Sequence, residues 1–280
     1  MLPWQYAMAA ACGLFIVAAV IRAGKLAGRS ASWALWGGVA WESALLFALY
    51  GLWQFAGSFT VMGKSGALPR AQWLWDAERV LYLPSETAVQ KPFLAHPLLV
   101  QACNLYYDVL HFPLLGVCLI WLYAWHRESY PRIRTTVALF TGVSLLIQLI
   151  PVAPPRLLSS TGMVDTAVQY GQSVYSWGGG FDADEFSAMP SVHVGWALIV
   201  AIAVITVSRS RWRWLAAAYP VLTLLVVVVT ANHFWLDGIV AALLVVLVLV
   251  VQRTTGGLRS GKSSEGSQVK PVRGQMSVRS

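Results

Sequence analysis

Apolar residues in this chain come in long runs divided by short polar segments. That pattern matches neither the alternation of a half-buried strand nor the narrow stripe of a soluble amphipathic helix. Seven runs reach or approach the roughly 17 to 25 helical residues that cross a hydrocarbon core. They are Tyr6 to Ile21, Trp33 to Phe55, Leu98 to Trp125, Thr135 to Pro151, Ser191 to Val207, Trp214 to Ala231 and Trp235 to Val251. The pattern predicts an all-α, polytopic transmembrane helix bundle of six to seven spans. The first run has no basic region before it and no small-residue cleavage site, so it reads as a retained span. One polar segment, "RAQWLWDAERVLYLPSE", is patterned too: Trp73, Trp75, Val80, Leu81 and Leu83 alternate with charges until Pro84. It predicts an interfacial helix in the first long outer loop.

Four segments follow from this division: N-terminal spans over 1–56, the outer loop over 57–96, a membrane core over 97–252 and a tail over 253–280. The tail is rich in Gly, Ser, Lys and Arg and reads as a disordered, basic, cytoplasmic extension. A second outer loop, Val152 to Pro190, opens on "APPRLL" and carries "WGGGFDADEF", whose glycines predict a bend.

Composition agrees: 57% of residues are hydrophobic, 11% are charged and the mean hydropathy is +0.61, which excludes a soluble globular class. Cys12, Cys103 and Cys118 all fall within apolar runs and read as small hydrophobes, not as a disulfide framework or metal site. Basic residues set the orientation, because Lys and Arg accumulate in cytoplasmic loops. Grouping alternate loops puts 15 of the 20 on one side and Lys64, Arg70, Arg79, Lys91 and Arg156 on the other. The N-terminus is then outside and the C-terminus inside, as in a multi-pass plasma-membrane protein. The net charge of +8 is mostly this bias and calls for no nucleic acid. Nothing in the sequence sets an oligomeric state.

With sides assigned, His193, His233, Asp237, Arg156 and Ser191 all fall at the outer face. His233 and Asp237 are four apart, so on a helical turn the carboxylate can hold one imidazole nitrogen and leave the other nucleophilic. The donor fork of Arg156 suits a phosphate. This set is sufficient for phosphoryl transfer with no metal and no other cofactor: one histidine attacks phosphorus, the other protonates the leaving oxygen, and the arginine neutralises charge. Asn104, Tyr107, Asp108 and His111 form a polar face at the outer end of the third span, for a headgroup, a supporting role or a structural hydrogen-bond network. Asn232 flanks His233. Glu42, alone in the second span, requires a partner or a proton.

"PSVH" at 190 to 193 and "NHFWLD" at 232 to 237, with "PPR" upstream, resemble the type 2 phosphatidic acid phosphatase superfamily, over about Asn104 to Val251. The resemblance implies a lipid phosphate or phospholipid substrate. It also implies a nucleophile at His233, an orienting carboxylate at Asp237, a general acid at His193 and phosphate-holding groups at Ser191 and Arg156. Leu149, Leu157, Val192 and Val227 depart from the common phosphatase pattern, and two phosphate-binding cations are lost with them. Together with "NLYYDVLHFP" at 104 to 113, the arrangement is more similar to the inositol phosphorylceramide synthase and sphingomyelin synthase branch, whose members move a phosphoryl headgroup between lipids. Two other classes stay open: an intramembrane serine hydrolase using Ser191 with His233, and a transporter with a proton relay.

Overall fold

In a computed structural model, residues 3–26, 31–60, 66–172 and 185–265 are described. They are all-helical, apart from one isolated bridge between Val152 and Ser187. Every predicted apolar run lies on a helix. Two N-terminal helices, α1 (Trp4–Leu26) and α2 (Ala31–Thr60), pair with each other. Next come α3 (Ala67–Val80) and α4 (Glu86–Leu94), then α5 (Pro97–Leu105), which passes through a π turn (Tyr106–Leu110) into α6 (His111–Trp125). After α7 (Tyr130–Gln148), two 3-10 turns (Pro155–Leu157 and Ser159–Thr161) and the short α8 (Thr166–Gln169) lie in the loop from Val152 to Pro190. The chain ends in α9 (Val192–Val207), a 3-10 segment (Arg211–Ala217) leading into α10 (Ala218–Val229), and α11 (Trp235–Glu265). Helix α11 continues past Val251, where the sequence places the end of the span; residues 266–280 of the tail and the glycine bend at 178–180 lie outside the described residues.

Among the described residues four helical stretches are long and apolar enough to cross a membrane: Trp4–Gly24, Pro97–Trp125, Arg211–Val229 and Trp235–Thr255. Their outward faces are apolar, with Leu98, Ile120, Val221 and Leu243 all exposed, which suits hydrocarbon and not water. The chain is an integral membrane protein.

Helices α6, α7, α9, α10 and α11 share one core, in which Leu122, Phe140, Ile199, Val227 and Val245 are essentially fully buried. Polar ties add direction: Trp196 Nε1 donates to Thr141 Oγ1 at 3.0 Å, and Gln252 Nε2 to Thr136 Oγ1 at 2.9 Å. The α1–α2 pair is fastened to α7 through Glu42, which accepts from Arg134 at 2.5 Å and from the Tyr130 hydroxyl at 2.9 Å. That supplies the partner Glu42 requires.

The two helices of the 57–96 loop fold over one end of this bundle. Helix α3 buries Ala67, Ala71 and Leu74 against Val152, Ala153, Leu158, Ala188 and Phe234, while Trp73, Val80 and Tyr82 stay exposed. Helix α4 is stitched down by the buried Gln90, whose amide donates to the carbonyls of Val164 and Val229 and accepts from Val164 N–H, all at 2.9 Å. The sequence pattern anticipates α3 but not α4, which is short and lacks an apolar period.

Helix α9 approaches α7 at Gly195, where an added methyl would lie 1.9 Å from the fully buried Phe140 ring. Gly195→Ala is therefore expected to destabilise the fold by about 1 to 3 kcal/mol, the usual cost of overpacking. Gly142→Ala has open space and should be neutral or slightly stabilising, as expected for an interior helical glycine. Thermal melts of both variants in detergent check this; equal melting temperatures would show that the helices separate easily.

Candidate active site

The loops at the α3–α4 end bring together residues far apart in sequence. Helix α10 ends at Thr230, and Ala231 reverses the chain in the left-handed region (φ 55°), where a side chain is strained. Three backbone hydrogen bonds fix this reversal: Asn232 N–H and His233 N–H both donate to Val227 O, at 3.0 and 3.2 Å, and Ala231 O accepts from Arg156 N–H at 3.1 Å. Helix α11 then starts with Asp237 in its first turn. The Asp237 carboxylate turns back to accept from Phe234 N–H at 2.9 Å, satisfying one of the orphan donors of the helix start. Its own backbone carbonyl accepts from Ser191 N–H at 3.1 Å, tying the start of α9 to the start of α11.

His233 is buried. Its Nδ1 lies 2.7 Å from the carbonyl of Ala188 and 3.3 Å from Asp237 Oδ2. Both neighbours are acceptors only, so Nδ1 must carry the proton and Nε2 is left with its lone pair. No group among the described residues hydrogen-bonds that Nε2. The second histidine, His193 in the first turn of α9, has its ring centroid 5.8 Å from that of His233. Tyr107 packs against both rings, at 4.3 Å from His193 and 6.3 Å from His233, and His111 meets His193 edge-on at 4.8 Å. Tyr107 belongs to the π turn and His111 follows it directly. Such a widened turn re-aims side chains and is common at functional sites.

Arg156, held by Pro154 and Pro155 at a 3-10 turn, is 3% exposed and has company the sequence did not disclose. Its guanidinium donates to Asn232 Oδ1 and to Glu185 Oε1 and is 3.2 Å from Asp165 Oδ2, while Asp108 adds a further negative charge nearby. Asn232 thus links the arginine to the residue beside His233. Ser191 is fully buried and caps α9, its Oγ accepting from Val194 N–H at 3.5 Å.

The expected outer-face residues are therefore mostly gathered. His193, His233, Asp237, Tyr107 and His111 converge; Arg156, Asn232 and Asp108 form an adjoining charged cluster; Ser191 joins through its backbone. Asn104 does not reach the histidines. It is spent on α8, exchanging hydrogen bonds with Thr166 and donating to Gln172 at 2.9 Å, which is the structural alternative for that polar face. Groups that sequence reasoning missed include Ala188, Asp165 and Glu185. A backbone acceptor such as Ala188 O leaves no mark in a sequence. The two carboxylates had a signal, namely an arginine in a loop otherwise devoid of basic residues. Among the described residues no group of three or more His, Cys, Asp or Glu side chains is placed to hold a metal ion.

A comparison with protein families matches residues 72–251 to the PAP2 superfamily. The chain belongs to the PAP2 superfamily. Its match covers more than half the chain and every residue of the histidine cluster, and it starts well before Asn104, so the later part of α3 and all of α4 fall within the matched stretch. No curated protein and no solved structure matches the chain. Membership makes it a membrane enzyme of the phosphatase and phosphotransferase type.

The arginine cluster generates a test. A lysine at 156 carries the charge but cannot reach Asn232, Asp165 and Glu185 together. Arg156→Lys is expected to cost about 1 to 3 kcal/mol, the range for losing charge-assisted hydrogen bonds, visible as a lower melting temperature in detergent. An unchanged melting temperature would show that the fork does not organise these loops.

Proposed function

We propose that this PAP2 superfamily member cleaves a phosphoester of a membrane lipid at the extracytoplasmic face through a phosphohistidine at His233, without a metal ion. The observation that carries the reading is the state of His233: Nδ1 has two acceptors, so Nε2 is the free nucleophilic nitrogen. His233 Nε2 attacks phosphorus, the bond from phosphorus to the leaving oxygen breaks, and His193 gives its proton to that oxygen. In the second half His193 takes the proton of water or of a lipid alcohol, whose oxygen attacks phosphorus as the P–N bond breaks and Nε2 regains its lone pair. Asp237 stabilises the imidazolium character that develops on His233, and Arg156, released from its carboxylates, faces the phosphoryl oxygens together with the amides at the start of α9.

The charge balance supports a substrate class. Arg156 is surrounded by Asp108, Asp165 and Glu185, and the positions where the common phosphatase pattern has two further cations are Leu149 and Val227, the second fully buried. A site with so little net positive charge suits the single charge of a phosphodiester better than the double charge of a phosphomonoester. This favours a phospholipid headgroup over phosphatidic acid, and transfer to a lipid alcohol over hydrolysis. It agrees with the similarity to the inositol phosphorylceramide synthase and sphingomyelin synthase branch. The orientation comes from the basic-residue bias, which places the site outside, with all seven apolar helices as spans and α3 at the headgroup level.

The experiment separates the two histidines by the leaving group. With a lipid substrate, His233→Ala and His193→Ala should both be nearly inactive. With an activated p-nitrophenyl ester the leaving oxygen needs no proton, so His193→Ala should give one burst of nitrophenol and then stall, and His233→Ala should give none. A burst from His233→Ala would reverse the roles; total loss in Ser191→Ala with a harmless His193→Ala would favour a serine hydrolase. For sidedness, single cysteines at Ser160 and Ser210 are probed with an impermeant thiol reagent on intact cells. Labelling is expected at 160 only, and the opposite pattern would place the site inside.

A further inference from the structure

We infer that Glu78, on α3, is a positioning residue for the His233–Asp237 pair: in its neutral, protonated form it caps the start of α11 from outside that helix. The inference rests on the reading of His233 and Asp237 given above.

Helix α11 starts after Phe234, a residue with no side-chain acceptor, so the first turn cannot be capped in the usual way by the residue that precedes it. The Asp237 carboxylate covers the N–H of Phe234, and the N–H of Leu236 still needs a partner. Glu78 Oε1 provides it, at 2.7 Å, across a sequence separation of 158 residues. The capped residue is the immediate neighbour of Asp237, so Glu78 sets the position of the backbone that carries the orienting carboxylate.

Glu78 is fully buried, and so is Glu86 of α4, which lies against it. Glu78 Oε2 and Glu86 Oε1 receive no hydrogen bond from any other group among the described residues. Two carboxyl groups that meet in a buried place, each with an otherwise idle oxygen, are bridged by a proton. The charged groups facing the pair are Arg79 of α3, which is 2.9 Å from Glu86 and 3.8 Å from Glu78, and Asp237 of α11, with His233 beyond it. One proton and Arg79 together neutralise the two glutamates. That leaves the Asp237 charge to His233 alone. Were Glu78 ionised, a second carboxylate would stand behind Asp237 and repel it.

The titration follows the same geometry. Burial first, then the hydrogen bond with Glu86, and the charges of Glu86 and Asp237 push Glu78 up from 4.5 to about 9, against the opposing pull of Leu236 N–H. Because the folded value is raised, the contribution of neutral Glu78 to stability is complete below 4.5 and is lost as pH rises towards about 9. Lipid turnover should lose its kcat as pH rises through about 9, where Glu78 of the folded protein ionises.

The test uses the full-length protein in detergent with Glu78→Ala, Glu78→Gln and, alongside, His233→Ala. Glutamine keeps the acceptor for Leu236 and is neutral at every pH. Glu78→Ala should lower kcat about 10- to 100-fold with little change in KM, the scale of a displaced reacting group. Glu78→Gln should recover most of that loss at neutral pH and lack the alkaline decline. Infrared spectra of the resting protein should show a protonated-carboxyl band in the wild type that Glu78→Gln removes, a readout that needs no activity. If Glu78→Ala does not fold, the glutamine variant and the spectra carry the test. A glutamine variant as poor as alanine, an alkaline decline unchanged by it, or no carboxyl band in the wild type would each overturn the inference while an inactive His233→Ala leaves the site reading intact. An active His233→Ala would overturn both.

Discussion

In the proposed mechanism the chemistry depends on the two acceptors at one nitrogen of His233. Ala188 O and Asp237 Oδ2 both address Nδ1, so the proton is held there and the lone pair is presented at Nε2. A histidine free to turn its ring or exchange tautomers would present the lone pair only part of the time. Phosphoryl transfer leaves little covalent work to a protein beyond such positioning and the balance of charge. The two acceptors come from different parts of the chain: Ala188 from the loop before α9, Asp237 from the start of α11. Everything that locks those two segments together therefore bears on the His233 ring, including the bond from Ser191 N–H to Asp237 O and the paired backbone contacts of Val152 with Phe186 and Ala188.

Around His233 the backbone departs from regular geometry in two places. Ala231 holds a strained backbone at the turn that delivers His233, and the π turn at Tyr106–Leu110 interrupts α5–α6 where Tyr107 and His111 reach the histidines. Arg156 is kept in place by carboxylates, and in the proposed mechanism an incoming phosphate displaces them. Helices α3 and α4 close the arrangement from above, through Gln90 on one side and Glu78 on the other.

Much of this was legible in the chain. The long apolar runs gave the helices because a bilayer demands uninterrupted helical hydrocarbon, and the spacing of His233 and Asp237 gave their contact because four residues make about one turn. The family resemblance rested on "PSVH" and "NHFWLD", and the wider match to the PAP2 superfamily upholds it. What could not be read is what depends on tertiary meeting points. Nothing local joins Glu78 to Leu236, Arg156 to Glu185 or Arg134 to Glu42, since each pair is brought together only by packing. Asn104 illustrates the converse: its helical register with Tyr107 and His111 suggested one shared role, but the π turn after Leu105 breaks that register and Asn104 serves α8.

The most direct measurement is the chemical identity of the phosphoenzyme. Rapid quenching of the wild type with radiolabelled substrate, followed by peptide mapping, distinguishes the two phosphohistidine isomers as well as the residue. The predicted result is phosphate on Nε2 of His233. Phosphate on Nδ1 would contradict the proton placement at that ring, and label on His193, on Ser191 or on no residue would contradict the assignment of His233 as nucleophile.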